Sequence, residues 1–475
     1  MTRREPYEWQ EQDILGFLEN DLTGLNASQP GAGKTVVSVE VAHRAGTDVN
    51  LIIAPDSTHA TAWGPTVLGQ TDQELRVVGN KNKQTKTALA DLEFGHPGWY
   101  AVTPQFFTRT DISEWFPDLL IHDEHHQLSK PMSKGQRKLS GYAPKRDKPI
   151  SKQVGAVMAL SGTPFRNDFQ RAWSVTRLLW PELSGYGQIA DAQHDRWCRY
   201  RMNSEYDHFA LSKVKYTTER HPGQLFSEMP YVVQHLAREQ CCAFHPTGFL
   251  SLEKPNEIVY EVPLLPSQVK VIKDLEKMSM AWLEDNPLIA DLPIVMAGRI
   301  RQAVIGEMRI DNDGNVAYAD NARSPIIDTA IEIVHEHDGE PVVVFTASQK
   351  AAELATAKFI KAGFSAVEVS GDYRTTRVED LAGFGTKYQI AVCVIAAVGT
   401  GTDGLQRHSN VEIWLDRDLD STNNIQAESR LDRIGATKQV QRYILRDTTG
   451  YAQRRYDRET LIRASIEQST RRRAS

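Results

Sequence analysis

The chain has 475 residues, too many for one hydrophobic core, so two or three domains are expected. Hydrophobic residues make up 40% and charged residues 24%, a composition that excludes a disordered or fibrous protein. The net charge of −6 excludes binding of nucleic acid through an overall basic field, so any such binding must use local patches.

The cysteines and the hydropathy pattern bear on the cell compartment. The chain has four cysteines, none in a C-x-x-C pair: Cys198, Cys241, Cys242 and Cys393. This spacing predicts neither a zinc site nor a disulfide framework and fits a reducing compartment. The first residues are polar without a signal-peptide core, and the longest apolar run, at 390–398, is too short to span a bilayer. We therefore expect a cytoplasmic protein without membrane contact.

The first predicted element is a helix within 5–20, where Trp9, Ile14 and Phe17 recur at roughly helical spacing. Gln10 lies on this helix, and its amide can pair with the donor and acceptor on an adenine edge. Gln12 is equally eligible, and an ordinary surface glutamine explains either residue at least as well. We keep Gln10 as the candidate adenine contact.

A phosphate-binding loop, SQPGAGKT, follows at 28–35 and opens a predicted helix. The small residues that let backbone N–H groups close round phosphates at the helix N-terminus are Gly31, Ala32 and Gly33. The Lys34 ammonium can reach the β- and γ-phosphates, and the Thr35 hydroxyl can ligate Mg²⁺. Ser28 stands where the strict pattern has glycine, and the alternative is a glycine-rich turn before an ordinary helix. The loop predicts binding of ATP with Mg²⁺.

Short apolar runs then alternate with helical patterns along the first part of the chain. The runs are VNLIIAP (49–55), WYAVTPQFF (99–107), DLLIHDEHHQ (118–127) and VGAVMALSGTPFRN (154–167). The alternation predicts βαβ units and a mostly parallel sheet. Ligands of such sheets bind beyond the carboxyl ends of the strands, where the loops after these runs lie.

Two carboxylates directly follow the third of these runs. Asp123 can hold Mg²⁺, and Glu124 can orient or deprotonate an attacking water. His125 and His126 come next, but adjacent histidines lack the spacing of a zinc-binding H-E-x-x-H helix. The carboxylate pair therefore predicts nucleotide hydrolysis, and we do not expect a zinc site.

A basic segment and a small-residue loop complete the first part of the chain. Residues 130–152 hold eight Lys or Arg against one acid, which indicates either a solvated loop or contact with a phosphate backbone. Ser161 and Thr163 follow a predicted buried strand, and hydroxyl residues on such a loop can relay the state of the γ-phosphate to a neighbouring surface. We therefore expect Ser161 and Thr163 to couple the state of the γ-phosphate to that surface.

The α/β rhythm stops at 181–320 and returns afterwards. Scattered aromatic and polar residues, with helix-like pieces at 191–202 and 267–283, predict a helical insertion and connector. Strands are then expected at 341–348, 365–373, 390–398 and 410–418, with a helix at 351–364. This pattern predicts a second parallel-sheet domain of the same class.

A second set of candidate residues lies near the end of this domain. Gln426, Arg430 and Arg433 stand at i, i+4 and i+7 and are expected on one face of a helix start. Arginine is always charged, and its planar guanidinium can donate two hydrogen bonds to phosphate oxygens. The two arginines can therefore stabilise charge that develops during hydrolysis. A solvated arginine face is the alternative.

Seven stretches resemble superfamily-two helicases and translocases, and the SWI/SNF-like ATPase family most closely. In chain order they are IIAPDSTHATAW (52–63), DEHHQLSK (123–130), LSGTPFRN (160–167), AWSVTRLLWPELSG (172–185), VYEVPLLPSQVKVIKDLEK (259–277), GTGTDGLQ (399–406) and QAESRLDRIGATKQV (426–440). The last is similar to the family's QAxxRxxRIGQxxxV, with Ala436 in place of the usual glutamine. The resemblance covers most of the chain and is weakest at 181–320.

The resemblance implies two RecA-like parallel-sheet P-loop lobes with a helical insertion between them and ATP between the lobes. The corresponding boundaries are 1–180 for the first lobe, 181–320 for the insertion, 321–465 for the second lobe and 466–475 for a basic tail. It also implies Asp403 and Gln426 as nucleotide contacts. The implied activity is an ATP-dependent DNA translocase or helicase of a compact bacterial or phage type, acting in repair, recombination or replication.

The partner implied is DNA, duplex before single strands. Candidate contacts, chosen at the level of loops, are Ser57, Thr103, Lys130, Thr346, Ser348 and Thr400. An RNA helicase or RNA-dependent ATPase of the same superfamily is the first alternative, and RNA would then stimulate hydrolysis. A nucleotide-gated binding protein without turnover is the second, and a small-molecule P-loop kinase is the third.

Overall fold

A computed structural model of the protein describes residues 3, 5–141, 148–165, 168–184, 200–207, 212–235, 253–283, 286–290, 292–311, 313–318, 321–370, 381–398, 404–433 and 436–470. The chain divides into two compact units. The first comprises Met1–Met202, Thr217–Leu250 and Arg463–Ser475. The second comprises Asn203–Tyr216 and Ser251–Ile462.

The strands of the first unit are short and mostly buried. They are β1 (Gly24–Asn26), β2 (Val49–Ile53), β3 (Leu75–Val77), β4 (Gly98–Val102), β5 (Leu119–His122), β6 (Ala156–Leu160) and β9 (Val232–Val233). Between β6 and β9 in the chain, β7 (Tyr200–Asp207) and β8 (Ser212–Glu219) form a separate two-stranded ribbon. They form a seven-stranded sheet in the order β3-β4-β2-β5-β6-β1-β9, in which all pairs are parallel. Strands β2, β4, β5 and β6 are buried along their whole length, as parallel strands covered on both faces must be.

The helices of the first unit connect these strands. They are α1 (Glu8–Glu19), α2 (Lys34–Ala45), α3 (Asp56–Thr58), α4 (Gly64–Thr71), α5 (Lys83–Glu93), α6 (Pro104–Arg109), α7 (Lys134–Ser140), α8 (Arg171–Leu179) and α9 (Gln224–Glu228). Several starts are set by local side-chain caps, because Asn82, Thr103 and Ser133 each accept a hydrogen bond from the third backbone N–H that follows.

Apolar side chains pack on both faces of the first sheet. One cluster contains Phe107, Trp115 and Trp173, all fully buried, and the other contains Phe17 and Trp63. Alternate residues of the strands supply the two clusters because successive side chains of a strand point to opposite faces. Burial of one such side chain contributes about 1.5–3 kcal/mol. The carboxyl-end loops of the sheet therefore rest on a well-packed core.

The second unit has a sheet of the same kind. Its strands are β10 (Asn256–Val262), β15 (Val342–Thr346), β16 (Ala366–Val369), β17 (Ile390–Val394), β18 (Val411–Trp414) and β19 (Gln441–Asp447), and two hairpins lie between the first two of them: β11 (Met280–Leu283) with β12 (Asn286–Ile289), and β13 (Met308–Ile310) with β14 (Val316–Tyr318). The six strands are parallel in the order β10-β19-β18-β15-β17-β16. The helices are α10 (Pro266–Met278), α11 (Pro293–Ile305), α12 (Pro325–Glu336), α13 (Gln349–Lys361), α14 (Ile395–Val398), α15 (Ser421–Glu428) and α16 (Tyr451–Thr470), of which α16 belongs to this unit only as far as Ile462.

These two sheets confirm the predicted fold class of two RecA-like parallel-sheet lobes. The content predicted for 181–320 is wrong in part. The described residues of this stretch include strands as well as helices, because β9 joins the first sheet, β10 joins the second, and α10 ends at Met278 before a hairpin. Residues 191–199 lie outside the described residues, and Tyr200 begins a strand rather than continuing a helix.

The strand predicted at 390–398 is also shorter than expected. Strand β17 ends at Val394, and a helical turn follows to Val398. An uninterrupted apolar run does not distinguish a strand from a buried helical turn. Across the described part of the chain, no helix combines the length and the apolar character that a bilayer span requires.

Candidate functional site

The phosphate-binding loop joins β1 to α2. Gly31 and Gly33 have φ of +85° and +74°, a left-handed conformation that glycine adopts without a steric cost. Gly33 directly precedes the first residue of α2, Lys34, so the loop ends at a helix N-terminus, where backbone N–H groups have no partner within the helix. Lys34 Nζ donates to the carbonyl oxygens of Ser28 at 2.8 Å and Gln29 at 3.1 Å. This is the strand–loop–helix arrangement that the sequence predicts.

Gln10 of α1 lies against this loop. A Cβ atom built on Gly33 would overlap Gln10 Nε2, so a side chain at position 33 and the amide compete for one space. Gln10 is 1% exposed, and its Oε1 accepts a hydrogen bond of 3.0 Å from the Tyr7 N–H. The structure thus places Gln10 beside the phosphate loop, as a nucleotide contact requires. Its role towards adenine stays a prediction.

Asp123 begins the loop after β5 and is held by two donors. Trp63 Nε1 donates to its Oδ2 at 3.0 Å, and the Glu124 N–H donates to its Oδ1 at 2.9 Å. Burial, and after it the charge of Glu124, raise the pKa of Asp123 to about 6, although Trp63 and the Lys34 ammonium act in the opposite direction. The Lys34 ammonium is thus close enough to Asp123 to act on the charge of its carboxylate.

Glu124 has a strained backbone. Its φ is +46°, a left-handed value that is uncommon for a residue other than glycine. Such strain is found where the surrounding structure fixes a functional side chain. Glu124 Oε2 lies 3.2 Å from His126 Nδ1, so the histidine ring holds the carboxylate on one side.

His126 also contacts the loop after β6. Its Nδ1 is 3.0 Å from Ser161 Oγ, and the Thr163 N–H donates to the same Oγ at 3.1 Å. Gly162 packs on the phosphate loop, because a Cβ on it would lie 2.8 Å from Pro30 Cδ. The loop of Ser161 and Thr163 therefore contacts both the carboxylate segment and the phosphate loop, which is the position that a coupling element needs.

The sequence did not indicate what Trp63 and His126 do here. Trp63 was visible only as a family motif position, and its hydrogen bond to Asp123 spans 60 residues of chain. The two adjacent histidines suggested only a metal. The structure instead shows His126 between Glu124 and Ser161, and burial together with His126 lowers the pKa of the His125 ring to about 3. A strand-end position next to a carboxylate pair was the available signal.

The donor set of this site fits ATP and Mg²⁺. Mg²⁺ prefers oxygen ligands, and a partly desolvated carboxylate with a raised pKa, such as Asp123, gains from a nearby cation. Thr35 directly follows Lys34 in the first turn of α2 and supplies a hydroxyl oxygen there. Gly31 and Gly33 give the loop the left-handed backbone that lets successive N–H groups point towards one anion.

The candidates of the second unit differ in placement from the prediction. Helix α15 ends at Glu428, so Gln426 is helical and 5% exposed, whereas Arg430 and Arg433 lie in the turns that follow. The predicted single helix face is therefore wrong. Glu428, the last residue of this helix, makes a charge-assisted contact with Arg417.

The candidate nucleic-acid contacts occupy varied environments. Thr103 and Ser348 use their side-chain oxygens to cap α6 and α13, and Thr346 is fully buried with its hydroxyl donating to Asp416 at 2.7 Å. Ser57 is half-buried and Lys130 is exposed. Thr400 and Asp403 lie outside the described residues. Among the described candidates, Lys130 is the most accessible to a phosphate backbone.

Comparisons with known proteins find similar chains among the solved structures. No family model matches the chain, and no curated protein matches it. The Sulfolobus solfataricus SWI2/SNF2 ATPase core in complex with dsDNA is similar over 98% of this chain and 97% of that chain. The identity is 15% and the TM-score is 0.42.

Proposed function

We propose that the protein hydrolyses ATP and uses the hydrolysis to move along DNA, mainly double-stranded DNA, in repair, recombination or replication. The observation that carries the hydrolytic part is the convergence of Lys34, Asp123 and Glu124 at one edge of the first sheet. A phosphate loop, an acid for a cation and an acid for a water are the parts that phosphoryl transfer to water needs.

Each residue of the first unit has a distinct task in this proposal. The N–H groups at the start of α2 and the Lys34 ammonium bind the phosphates, and Lys34 leaves the Ser28 and Gln29 carbonyls to do so. Thr35 and Asp123 hold Mg²⁺, which neutralises phosphate charge when bound. Gln10 contacts the adenine edge from its place beside Gly33.

Glu124 is the proposed general base. Its side chain is directed by the His126 ring, and the backbone strain at Glu124 shows that its position is set by the surrounding fold. Loss of the γ-phosphate would change the charge that Glu124 faces, and His126 would pass this change to Ser161 and Thr163. This path gives the predicted coupling loop a physical route.

The DNA-binding part rests on charge and on the motif resemblance. Lys130 and the exposed residues Lys134 and Arg137 of α7 lie on the segment that follows the carboxylate pair. Lys138 is excluded, because its Nζ donates to the Thr110 carbonyl and lies over the Phe107 ring. We further propose that Arg430 and Arg433 stabilise charge on the transferred phosphoryl group, and that Asp403 and Gln426 contact the nucleotide.

The test is the rate of ATP hydrolysis without nucleic acid and then with duplex DNA, single-stranded DNA or RNA. Glu124→Gln serves as the inactive reference, because it keeps the size of the side chain and removes the base. Stimulation by duplex DNA that the variant lacks supports the proposal and makes strand displacement the next assay. Stimulation by RNA alone would identify RNA, and not DNA, as the partner. No turnover under any condition overturns the proposed hydrolysis.

A further inference from the structure

The phosphate loop has a hydrogen-bonded neighbour on the edge strand of the sheet. Strand β9 pairs with β1, and the pairing continues past the strand into the loop. The Gln29 N–H donates to the His235 carbonyl at 3.0 Å, and the His235 N–H donates to Ser28 Oγ at 3.0 Å. The first two residues of the phosphate loop are therefore fixed by the backbone of His235.

This contact accounts for the departure of the loop from the strict pattern. Ser28 replaces the usual glycine, and its side chain is 1% exposed. Its hydroxyl accepts the His235 N–H, and its own N–H donates to Asn26 Oδ1 at 3.1 Å. A glycine at this position would leave the His235 N–H without this acceptor. Ser28 and His235 thus form a matched pair.

The side chain of His235 extends the contact to α1. Its Nε2 lies 2.8 Å from Asp13 Oδ1 and 2.9 Å from Asp13 Oδ2, and its ring packs at 5.0 Å from the Trp9 ring. The side chains of His235 and Asp13 in this contact are only 18% and 9% exposed. Burial raises the pKa of the Asp13 carboxyl, and the adjacent His235 opposes this rise. A desolvated contact of this kind is stronger than a surface pair.

Lys34 completes the chain of contacts. Its ammonium donates to the Ser28 and Gln29 carbonyls, which belong to the two residues that His235 holds. Asp13 orients the His235 ring, His235 fixes the start of the loop, and the start of the loop holds Lys34 until its ammonium moves to the phosphates. Since α1 also contacts the end of the loop through Gln10 and Gly33, this helix bears on the loop at both ends.

We propose that His235, oriented by Asp13, is a positioning residue that sets the phosphate loop for nucleotide binding. The inference rests on the proposed function, because it assigns His235 a role at the same nucleotide site. His235 acts through the loop and has no assigned contact with the nucleotide. It should therefore affect binding of the phosphates in the ground state and in the transition state alike.

That expectation separates positioning from a purely structural role. A loop that binds ground state and transition state equally changes KM and leaves kcat nearly constant. A variant that only lowers the folded fraction reduces the apparent kcat and leaves KM unchanged. We expect His235→Leu to raise both the KM for ATP and the Kd of a fluorescent ATP analogue about tenfold, the scale of one charge-assisted hydrogen bond. The kcat should stay within about threefold of the wild-type value.

Two further variants make the experiment specific. His235→Gln keeps an N–H that reaches Asp13, so it should recover most of the affinity. Tyr231→Phe is the matched control, because the Tyr231 hydroxyl donates to the Asp13 carbonyl at 3.0 Å and so links the residue before β9 to the same helix. It should change thermal stability but not the KM for ATP.

The outcomes distinguish the inference from the proposed function. If the wild-type protein neither binds the analogue nor hydrolyses ATP, the proposed function fails. If the wild type does both and His235→Leu has the wild-type KM and Kd, the positioning role is wrong. A fall in kcat at constant KM in His235→Leu, with the same fall in Tyr231→Phe, shows a purely structural role and also overturns the inference.

Discussion

Asp123 shows how one residue can be suited to a cation and still carry a cost for the fold. Its folded pKa of about 6 lies above the ordinary value of 3.8, chiefly because of burial and then because of Glu124. The folded chain therefore holds this proton more tightly than the unfolded chain does. The associated stability is complete below the ordinary pKa and is lost as the pH rises through the folded pKa.

The first prediction follows from this sign. In EDTA, the wild-type protein should lose stability relative to Asp123→Asn as the pH rises from about 4.5 to about 7.5. One pKa unit corresponds to about 1.4 kcal/mol, and because Asp123 is partly exposed we expect a relative change of about 1–2 kcal/mol. Chemical unfolding at a series of pH values measures it. Parallel pH curves for the two proteins would contradict the raised pKa.

A glycine with positive φ flanks helix α2 at each end, and the two glycines have different surroundings. Gly33 precedes the helix at φ +74° against Gln10, whereas Gly46 follows it at φ +69°, and a Cβ atom added there would have nothing within 4 Å. An alanine has the same backbone penalty at either site, about 1 kcal/mol. Only at Gly33 would the added Cβ atom also clash with another side chain, that of Gln10, and only Gly33 belongs to the phosphate loop.

The second prediction uses this pair. Gly33→Ala should raise the Kd for ATP more than tenfold, because its Cβ displaces Gln10 and the loop. Gly46→Ala should lower the free energy of unfolding by a similar strain energy, about 1 kcal/mol, and bind ATP normally. Equilibrium nucleotide binding and denaturant unfolding measure the two effects. Equal ATP affinity in both variants would show that the glycine at 33 is needed only for its backbone.

The third prediction concerns helix α7. Exchanging Lys134 and Arg137 together for glutamate should reduce stimulation of ATP hydrolysis by duplex DNA about tenfold and flatten its salt dependence, since phosphate contacts release counterions. The rate without DNA should not change. The matched control is the same charge exchange at Lys83 and Lys86, exposed residues of α5. If both double variants respond to DNA equally, α7 is not a DNA contact.

At the scale of the whole molecule, the candidate residues are divided between the two units. The phosphate loop and the carboxylate pair belong to the first, and Gln426, Arg430 and Arg433 belong to the second. Hydrolysis that depends on both groups would depend on both units, as a motor requires. Nucleotide binding by the first unit would not.

The fourth prediction separates these two requirements. Arg430→Ala and Arg433→Ala should each lower kcat for ATP hydrolysis at least about 1,000-fold, the lower end of the scale found for arginines that act on a transferred phosphoryl group. The Kd for ATP should stay within about threefold of the wild-type value. Arg407→Ala, an exposed arginine of the same unit, is the control. Unchanged kcat in both alanine variants would remove these arginines from the proposed chemistry.

Much of the candidate nucleotide site could be predicted from sequence because the chemistry proposed for it is local. A phosphate loop needs small residues, Lys34 and Thr35 at fixed spacing before a helix, and Asp123 and Glu124 need only the end of one strand. The helix after Gln426 could not be delimited in this way. It ends at Glu428, whose carboxylate contacts Arg417, and a spacing of i, i+4 and i+7 does not report where a helix ends.

The sequence by itself determined the class of fold, the phosphate loop and the acidic pair, since periodicity and motif spacing are encoded within a few residues of each other. Only the tertiary structure decided which side chains support them. Trp63 reaches Asp123 across 60 residues of chain, and His235 reaches Ser28 across 207. The order of strands in the sheet brings such residues together. That order follows from the burial of whole elements, which no local pattern in the chain records.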